Sequence, residues 1–254
     1  MQLKFKLDRD KEPSILYHDD DIVVLYKPHE MHTVMQSTEN DKSLELFWRS
    51  SQFSNKNLPD TGLVQRLDYV TAGVILGACT QESYDYLVES SKNMRIKKEY
   101  IAACEYIDPY FIPEKYTLQE WRDVLRSNRQ WSVCLEARFV YRERGRTSVR
   151  LLPVSSRSKH ASLPYRTEIS LVQYDQRRAL HLVRAIITKG YRHQVRATLQ
   201  AIGLPIIGDK LYNNACQIED SVIHFRAVSL SFLHPGNRSW YECTWSNAWS
   251  GLLA

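Results

Sequence analysis

Two short segments, far apart in the chain, carry the side chains best suited to chemistry. Gln65-Arg66-Leu67-Asp68-Tyr69-Val70-Thr71-Ala72-Gly73 sets a carboxylate beside an arginine, at the end of an expected apolar strand and just before a turn of small residues. Turns carried on a rigid frame are where catalytic side chains concentrate. A carboxylate there suits nucleophilic attack on a sugar carbon or stabilisation of positive charge. Taken alone, Arg-Leu-Asp is a common tripeptide and is better read as a surface ion pair at a strand end. The second segment, Lys189-Gly190-Tyr191-Arg192-His193-Gln194-Val195-Arg196, runs into an expected helix with His193 and Arg196 near its first turn. That arrangement attracts an anion, either a phosphate or a carboxylate such as Asp68. On these residues alone a solvated basic face is as good a reading.

The elements that must position these side chains follow from pattern. Ile15-Leu16-Tyr17 and Ile22-Val23-Val24-Leu25-Tyr26 flank His18-Asp19-Asp20-Asp21, which predicts a hairpin ended by Lys27-Pro28. A short helix is expected over Ser43 to Trp48, then a polar loop from Gln52 to Thr61, then two strands around a functional turn between Val64 and Ala78. A helix from Glu82 to Met94 precedes a strand from Lys97 to Ile107 that places Tyr100, Ala102, Cys104 and Tyr106 on one face. Thr117-Leu118-Gln119-Glu120 is a capping box opening an amphipathic helix, with Leu118, Trp121 and Leu125 on one side, that reads as an insertion. Strands fill residues 131–189, a helix runs from His193 to Ile202 until Gly203 and Pro205 stop it, and strands return over Val222 to Trp245. The pattern is α+β, and without a repeat or a Pro/Gly linker residues 1–254 are expected to form a single domain.

Composition bounds the partners. A 254-residue chain that is 43% hydrophobic can fill a core. The net charge is +5, unevenly spread: residues 1–60 hold 8 Lys/Arg against 11 Asp/Glu, while residues 142–200 hold 13 against 3. Arg142, Arg144, Arg146, Arg150, Arg157 and Lys159 therefore form a candidate surface for a polyanion. The five cysteines are scattered without CxxC spacing, which argues against a disulfide framework or a zinc site and for a reduced, intracellular chain. No stretch reaches the ~18 apolar residues of a membrane span, and Met1 to Lys6 shows no signal-peptide pattern, so a soluble protein is expected.

In order along the chain, Ile15 to Pro28, Gln65 to Gly73, Lys98-Glu99-Tyr100-Ile101-Ala102 and Gly190 to Tyr212 resemble the successive motifs of the RluA-type pseudouridine synthases. Gly203-Leu204-Pro205-Ile206-Ile207-Gly208-Asp209-Lys210-Leu211-Tyr212 is the most specific match. The chain departs from the family pattern at Gln65 in place of His, at Ala72 in place of Ser, and at Gly190-Tyr191-Arg192-His193 in place of Gly-Arg-Thr-His. The resemblance identifies it as a divergent member.

The resemblance implies a pseudouridine synthase catalytic fold, α+β, with a central, largely antiparallel mixed sheet and flanking helices and loops around a basic cleft. It implies that Asp68 is the catalytic carboxylate, that Arg196 pairs with it, and that Tyr100 lies against the uracil ring. Arg66, Thr71, Gly73, Arg192, His193 and Gln194 follow as substrate-binding positions. The target base must leave its stack to be reached. No metal or organic cofactor is implied; the expected partner is ribosomal or transfer RNA, and the expected form is a cytoplasmic monomer without the small N-terminal RNA-binding domain of many relatives. The competing readings are an RNA-binding protein of the same fold that has lost activity, and a hydrolase pairing Asp68 with Glu168.

Overall fold

A computed structural model describes residues 1–5, 11–36, 42–141, 148–213, 222–246 and 248. Its strands are β1 (Gln2–Phe5), β2 (Ser14–His18), β3 (Ile22–Lys27), β4 (Ala72–Ala78), β5 (Lys97–Cys104), β6 (Ser132–Tyr141), β7 (Val149–Pro153), β8 (Tyr165–Asp175), β9 (Leu180–Ile187), β10 (Phe225–Leu233) and β11 (Trp240–Trp245). Four helices accompany them: α1 (Leu44–Arg49), α2 (Gln81–Lys92), α3 (Leu118–Leu125) and α4 (Gln194–Ala201). The chain gathers into two compact units, 1–99 with 226–249 and 100–225 with 250–254. Of the basic residues expected to face a polyanion, Arg142, Arg144 and Arg146 lie outside the described residues.

In the first unit the strands run β2-β3-β4-β10-β11-β1. β2/β3, β3/β4 and β10/β11 are antiparallel, while β4/β10 and β1/β11 are parallel. The continuous apolar run of β3 is buried along its whole length, as expected of a strand covered on both faces. Val23 and Leu25 pack with Ile75 of β4 and with Leu44 and Trp48 of α1. Gly73, the second residue of β4, sits at φ +142, where a Cβ would collide with the Ala227 carbonyl oxygen, so the close β4/β10 approach demands glycine. The acidic hairpin tip expected between β2 and β3 is self-satisfied. Asp19 Oδ1 accepts from the backbone N–H groups of Asp21 and Ile22, and Oδ2 accepts from Tyr17 Oη–H and lies 3.0 Å from His234 Nε2.

One expectation fails here: only the second of the two strands placed around the Asp68 turn exists. Val64 donates one ladder bond to the Leu76 carbonyl (3.1 Å), after which the chain turns away from β4. Leu67 then bonds to a side chain in place of a strand partner, since Thr33 Oγ1 accepts from its N–H (3.0 Å) and donates to its C=O (2.9 Å). A hydroxyl that serves both backbone groups of one residue competes directly with the sheet.

In the second unit the order is β5-β9-β8-β6-β7, with β9/β8, β8/β6 and β6/β7 antiparallel. α4 packs its Ala197 and Ala201 on Phe139 of β6 and on Val149 and Leu151 of β7. The capping box at Thr117 forms as expected, with Thr117 N–H donating to Glu120 Oε2 (2.8 Å) and Glu120 N–H to Thr117 Oγ1 (3.3 Å). The helix it opens packs into the unit through its apolar side. Trp121 and Leu125 of α3 are fully buried, Trp121 Nε1–H donates to the Ile202 carbonyl at the end of α4 (2.8 Å), and His181 Nε2 meets the Leu125 carbonyl (2.6 Å). Leu118, expected on the same apolar face, is left 41% exposed.

Candidate functional site

Asp68 is half-buried at the first position of a four-residue turn that Thr71 closes by donating its N–H to the Asp68 carbonyl (2.9 Å). The turn is held by a layer of residues from the segment after β3. Lys27 Nζ donates to the carbonyls of Pro28 (2.8 Å), Met31 (2.7 Å) and Tyr69 (3.3 Å), and His29 Nδ1 meets the Val70 carbonyl at 2.7 Å. That layer is itself anchored by α1, whose first residues Leu44 and Glu45 donate their N–H groups to the carbonyls of His32 and Thr33 (2.9 Å each). Buried Glu45 completes the anchor, accepting from Met35 N–H (2.9 Å) and Thr61 Oγ1–H (3.1 Å). The carbonyls of Leu67, Asp68, Tyr69 and Val70 thus each have a named partner, which orients the turn that carries the carboxylate.

Lys27 is fully buried at the end of an apolar strand. Loss of water pulls its ammonium down from 10.5 to about 7, opposed by the negative charge of Asp68. A cation so placed tethers the backbone on both sides of the turn and supports the Asp68 charge. Sequence reading gave Lys27 no function, although a lone lysine closing a five-residue apolar run is a legible anomaly.

The other expected residues divide by exposure. Arg66 is exposed and forks onto Asp60 through Nε (3.2 Å) and Nη2 (2.6 Å). Thr71 is 1% exposed, and its Oγ1 meets no hydrogen-bond partner among the described residues. Gly73 is walled in by Ala227. In the second unit, Arg192 is exposed, and His193 is half-buried at φ 55 as the residue before α4, its Nδ1 3.0 Å from Tyr212 Oη. Gln194 is buried with its amide fully engaged: Oε1 accepts from Tyr191 N–H, and Nε2 donates to the Arg166 carbonyl and Thr167 Oγ1. Thr71, Gly73 and Gln194 are therefore packed into the frame and do not face solvent. Tyr100 is 8% exposed, with its ring stacked on Phe225 at 5.3 Å and 15°.

Arg196 makes a buried two-pronged ion pair in the second unit. It is 4% exposed and grips Asp209 through Nε (2.8 Å to Oδ2) and Nη2 (2.7 Å to Oδ1). Asp209 Oδ1 also accepts from the N–H groups of Leu211 and Tyr212. The guanidinium lies over the Tyr212 ring, 5.2 Å from its centroid, and Tyr212 Oη accepts from Val149 N–H (2.8 Å). Such a planar fork suits arginine and no other cation. Asp209 and Tyr212 stand in the Gly-x-Pro-Ile-x-Gly-Asp-x-x-Tyr stretch, which the sequence offered as a motif without giving either residue a task.

The architecture, α+β with a mixed and largely antiparallel sheet, is that of solved pseudouridylate synthase domains. The human RNA pseudouridylate synthase domain containing 1 protein aligns with a TM-score of 0.64 over 96% of this chain and 87% of its own at 17% identity. Human RNA pseudouridylate synthase domain containing 4 aligns with a TM-score of 0.64 over 91% and 87% at 18% identity. Residues 21–201 match the family model described as RNA pseudouridylate synthase, and the chain belongs to that family. Among curated relatives, an uncharacterized RNA pseudouridine synthase of Helicobacter pylori is 28% identical over 91% of this chain. The dual-specificity RNA pseudouridine synthase RluA of Escherichia coli is 26% identical over 78% of this chain and 76% of its own length. The chain spans 65% of the length of the Helicobacter pylori relative. Among the described residues, no helix is long and apolar enough to cross a membrane.

Proposed function

We propose that this chain is an RNA pseudouridine synthase in which Asp68 carries the chemistry. The reaction breaks the bond from uracil N1 to ribose C1′, turns the base, and joins C5 to C1′, the C5 proton passing to solvent while N1 takes one up. Asp68 attacks C1′ or holds the positive charge that develops there while a proton leaves C2′. Tyr100 lies against the base, and Arg196 serves as the basic partner of the carboxylate, both by their motif positions. Arg66, Arg192 and His193 are the accessible members of the substrate-binding set and contact phosphate. Thr71, Gly73 and Gln194 serve it by shaping backbone. The substrate is a uridine in ribosomal or transfer RNA, acted on in the cytoplasm by a monomer without cofactor.

The observation that carries this reading is the hold on Asp68. Thr71, Lys27, His29 and Thr33 hold the backbone from residue 67 to residue 71, while Asp68 is only half-buried. Preorganised charge of this kind is what catalysis at a fixed point requires. The test is tritium release from RNA labelled at uridine C5, prepared from cells lacking the gene. Wild type releases tritium, and Asp68→Asn lowers the rate by on the order of 10³-fold or more with the fold intact; sustained turnover by that variant refutes the assignment.

One observation favours the reading as a lapsed, RNA-binding member. Gln65 stands where the family has His, and its Nε2 is buried without a hydrogen-bond partner among the described residues. RNA binding by wild type without tritium release would establish that alternative.

A further inference from the structure

Beside the catalytic carboxylate the turn presents an aromatic side chain that no step above uses. Tyr69 follows Asp68 directly and is 45% exposed, although large aromatics are favoured in cores. Its ring rests against that of His32, with centroids 4.7 Å apart and planes 45° apart, and His32 is itself exposed. The backbone beneath is rigid, because Lys27 Nζ donates to the Tyr69 carbonyl and His29 Nδ1 meets the carbonyl of Val70. His32 is fixed at the same level, its carbonyl accepting Leu44 N–H from α1 (2.9 Å). A mobile surface tyrosine would need none of this support.

We propose that Tyr69, backed by His32, is a stacking platform for the nucleobase next to the target uridine. The inference rests on the function proposed above and adds a residue that selects the substrate. Tyr69 directly follows Asp68, with Cα atoms about 3.8 Å apart, so its exposed ring belongs to the same short turn as the proposed nucleophile. A flat ring held at a fixed angle binds any unpaired base through its π face with little ordering cost. The platform therefore favours a target whose neighbour is unstacked, as in a loop or bulge, over one inside a continuous helix.

The experiment compares Tyr69→Phe, Tyr69→Leu, Tyr69→Ala and His32→Ala by tritium release from the same C5-labelled RNA. Tyr69→Ala and Tyr69→Leu each raise KM by about tenfold with kcat within about twofold of wild type, Tyr69→Phe stays near wild type, and His32→Ala gives a smaller rise in KM. Retention of wild-type KM by Tyr69→Leu would reduce the ring to apolar packing and overturn the platform. A Tyr69→Phe variant as impaired as Tyr69→Ala would overturn it too, by placing the effect in the hydroxyl. If wild type itself releases no tritium, the underlying reading fails and the platform with it; if wild type is active and all four variants match it, the platform alone falls.

Discussion

The Asp68 turn and the Arg196 fork solve the problem of placing a charge in opposite ways. Around Asp68 the frame consists of side chains that bond to backbone: Thr33 to Leu67, Lys27 to Tyr69, His29 to Val70. Asp68 as a residue stays half-buried, and the framing bonds are individually modest. Around Arg196 the charge is closed off, with both partners nearly inaccessible and the carboxylate also accepting two backbone N–H groups. The difference separates two uses of charge. The proposed nucleophile is oriented through its backbone, whereas the Arg196 charge is held by a buried carboxylate, because an unmatched charge is costly to bury.

The comparison breaks most visibly at Arg196. Arg196→Met leaves Asp209 buried without its counter-charge and lowers unfolding free energy by about 3–5 kcal/mol in urea melts. The double variant Arg196→Met with Asp209→Leu recovers most of that loss, as a matched apolar pair does. Equal destabilisation by the single and double variants would mean that the fork matters for something other than charge balance.

Lys27→Met comes next. It strands the carbonyls of Pro28, Met31 and Tyr69 and costs about 1–3 kcal/mol of stability, with a larger proportional loss in tritium release. The pH dependence has a definite sign. Folding lowers the Lys27 ammonium from 10.5 to about 7, so between these values the unfolded chain holds more protons than the folded one. Wild-type stability relative to Lys27→Met therefore rises from pH 7 towards pH 10 and is flat below pH 7. Paired urea melts at pH 6, 7, 8 and 9 measure this, and a difference independent of pH would show that the ammonium keeps its ordinary value.

Thr33→Val removes one hydroxyl and two bonds to Leu67 while keeping its shape, and should cost about 1 kcal/mol in melts yet reduce kcat more than KM. Smallest of all is Arg66→Gln, which breaks the exposed pair with Asp60 and changes stability by about 0–1 kcal/mol. A loss of RNA affinity that weakens as salt rises would then assign Arg66 to phosphate contact.

Much of this molecule was legible in the sequence where the signal is local. The β2/β3 hairpin, the Thr117 capping box, the start of α2 and the end of α4 near Gly203 depend on residues a few positions apart, and short-range chemistry dictates them. The family motifs gave the α+β class and singled out Asp68, Arg196 and Tyr100, because their order survives divergence even where Gln65 and Ala72 replace the usual residues. Other features depend on partners far away in the chain. Val64 to Leu67 has the composition of a strand and is irregular only because the Thr33 hydroxyl, 34 residues earlier, claims the backbone of Leu67. The helix opened by Thr117 shows an apolar side in the sequence, but only the fold shows what covers it, with Trp121 donating to Ile202, 81 residues later. The sequence by itself thus determined which local elements form and which residue types stand as candidates for chemistry. Tertiary structure alone decided that Lys27 is buried under the Asp68 turn, that Asp209 is gripped by Arg196, and that Tyr69 is left facing solvent. The physical reason is that burial and charge matching are properties of what the folded chain brings together, and no stretch of neighbouring residues encodes them.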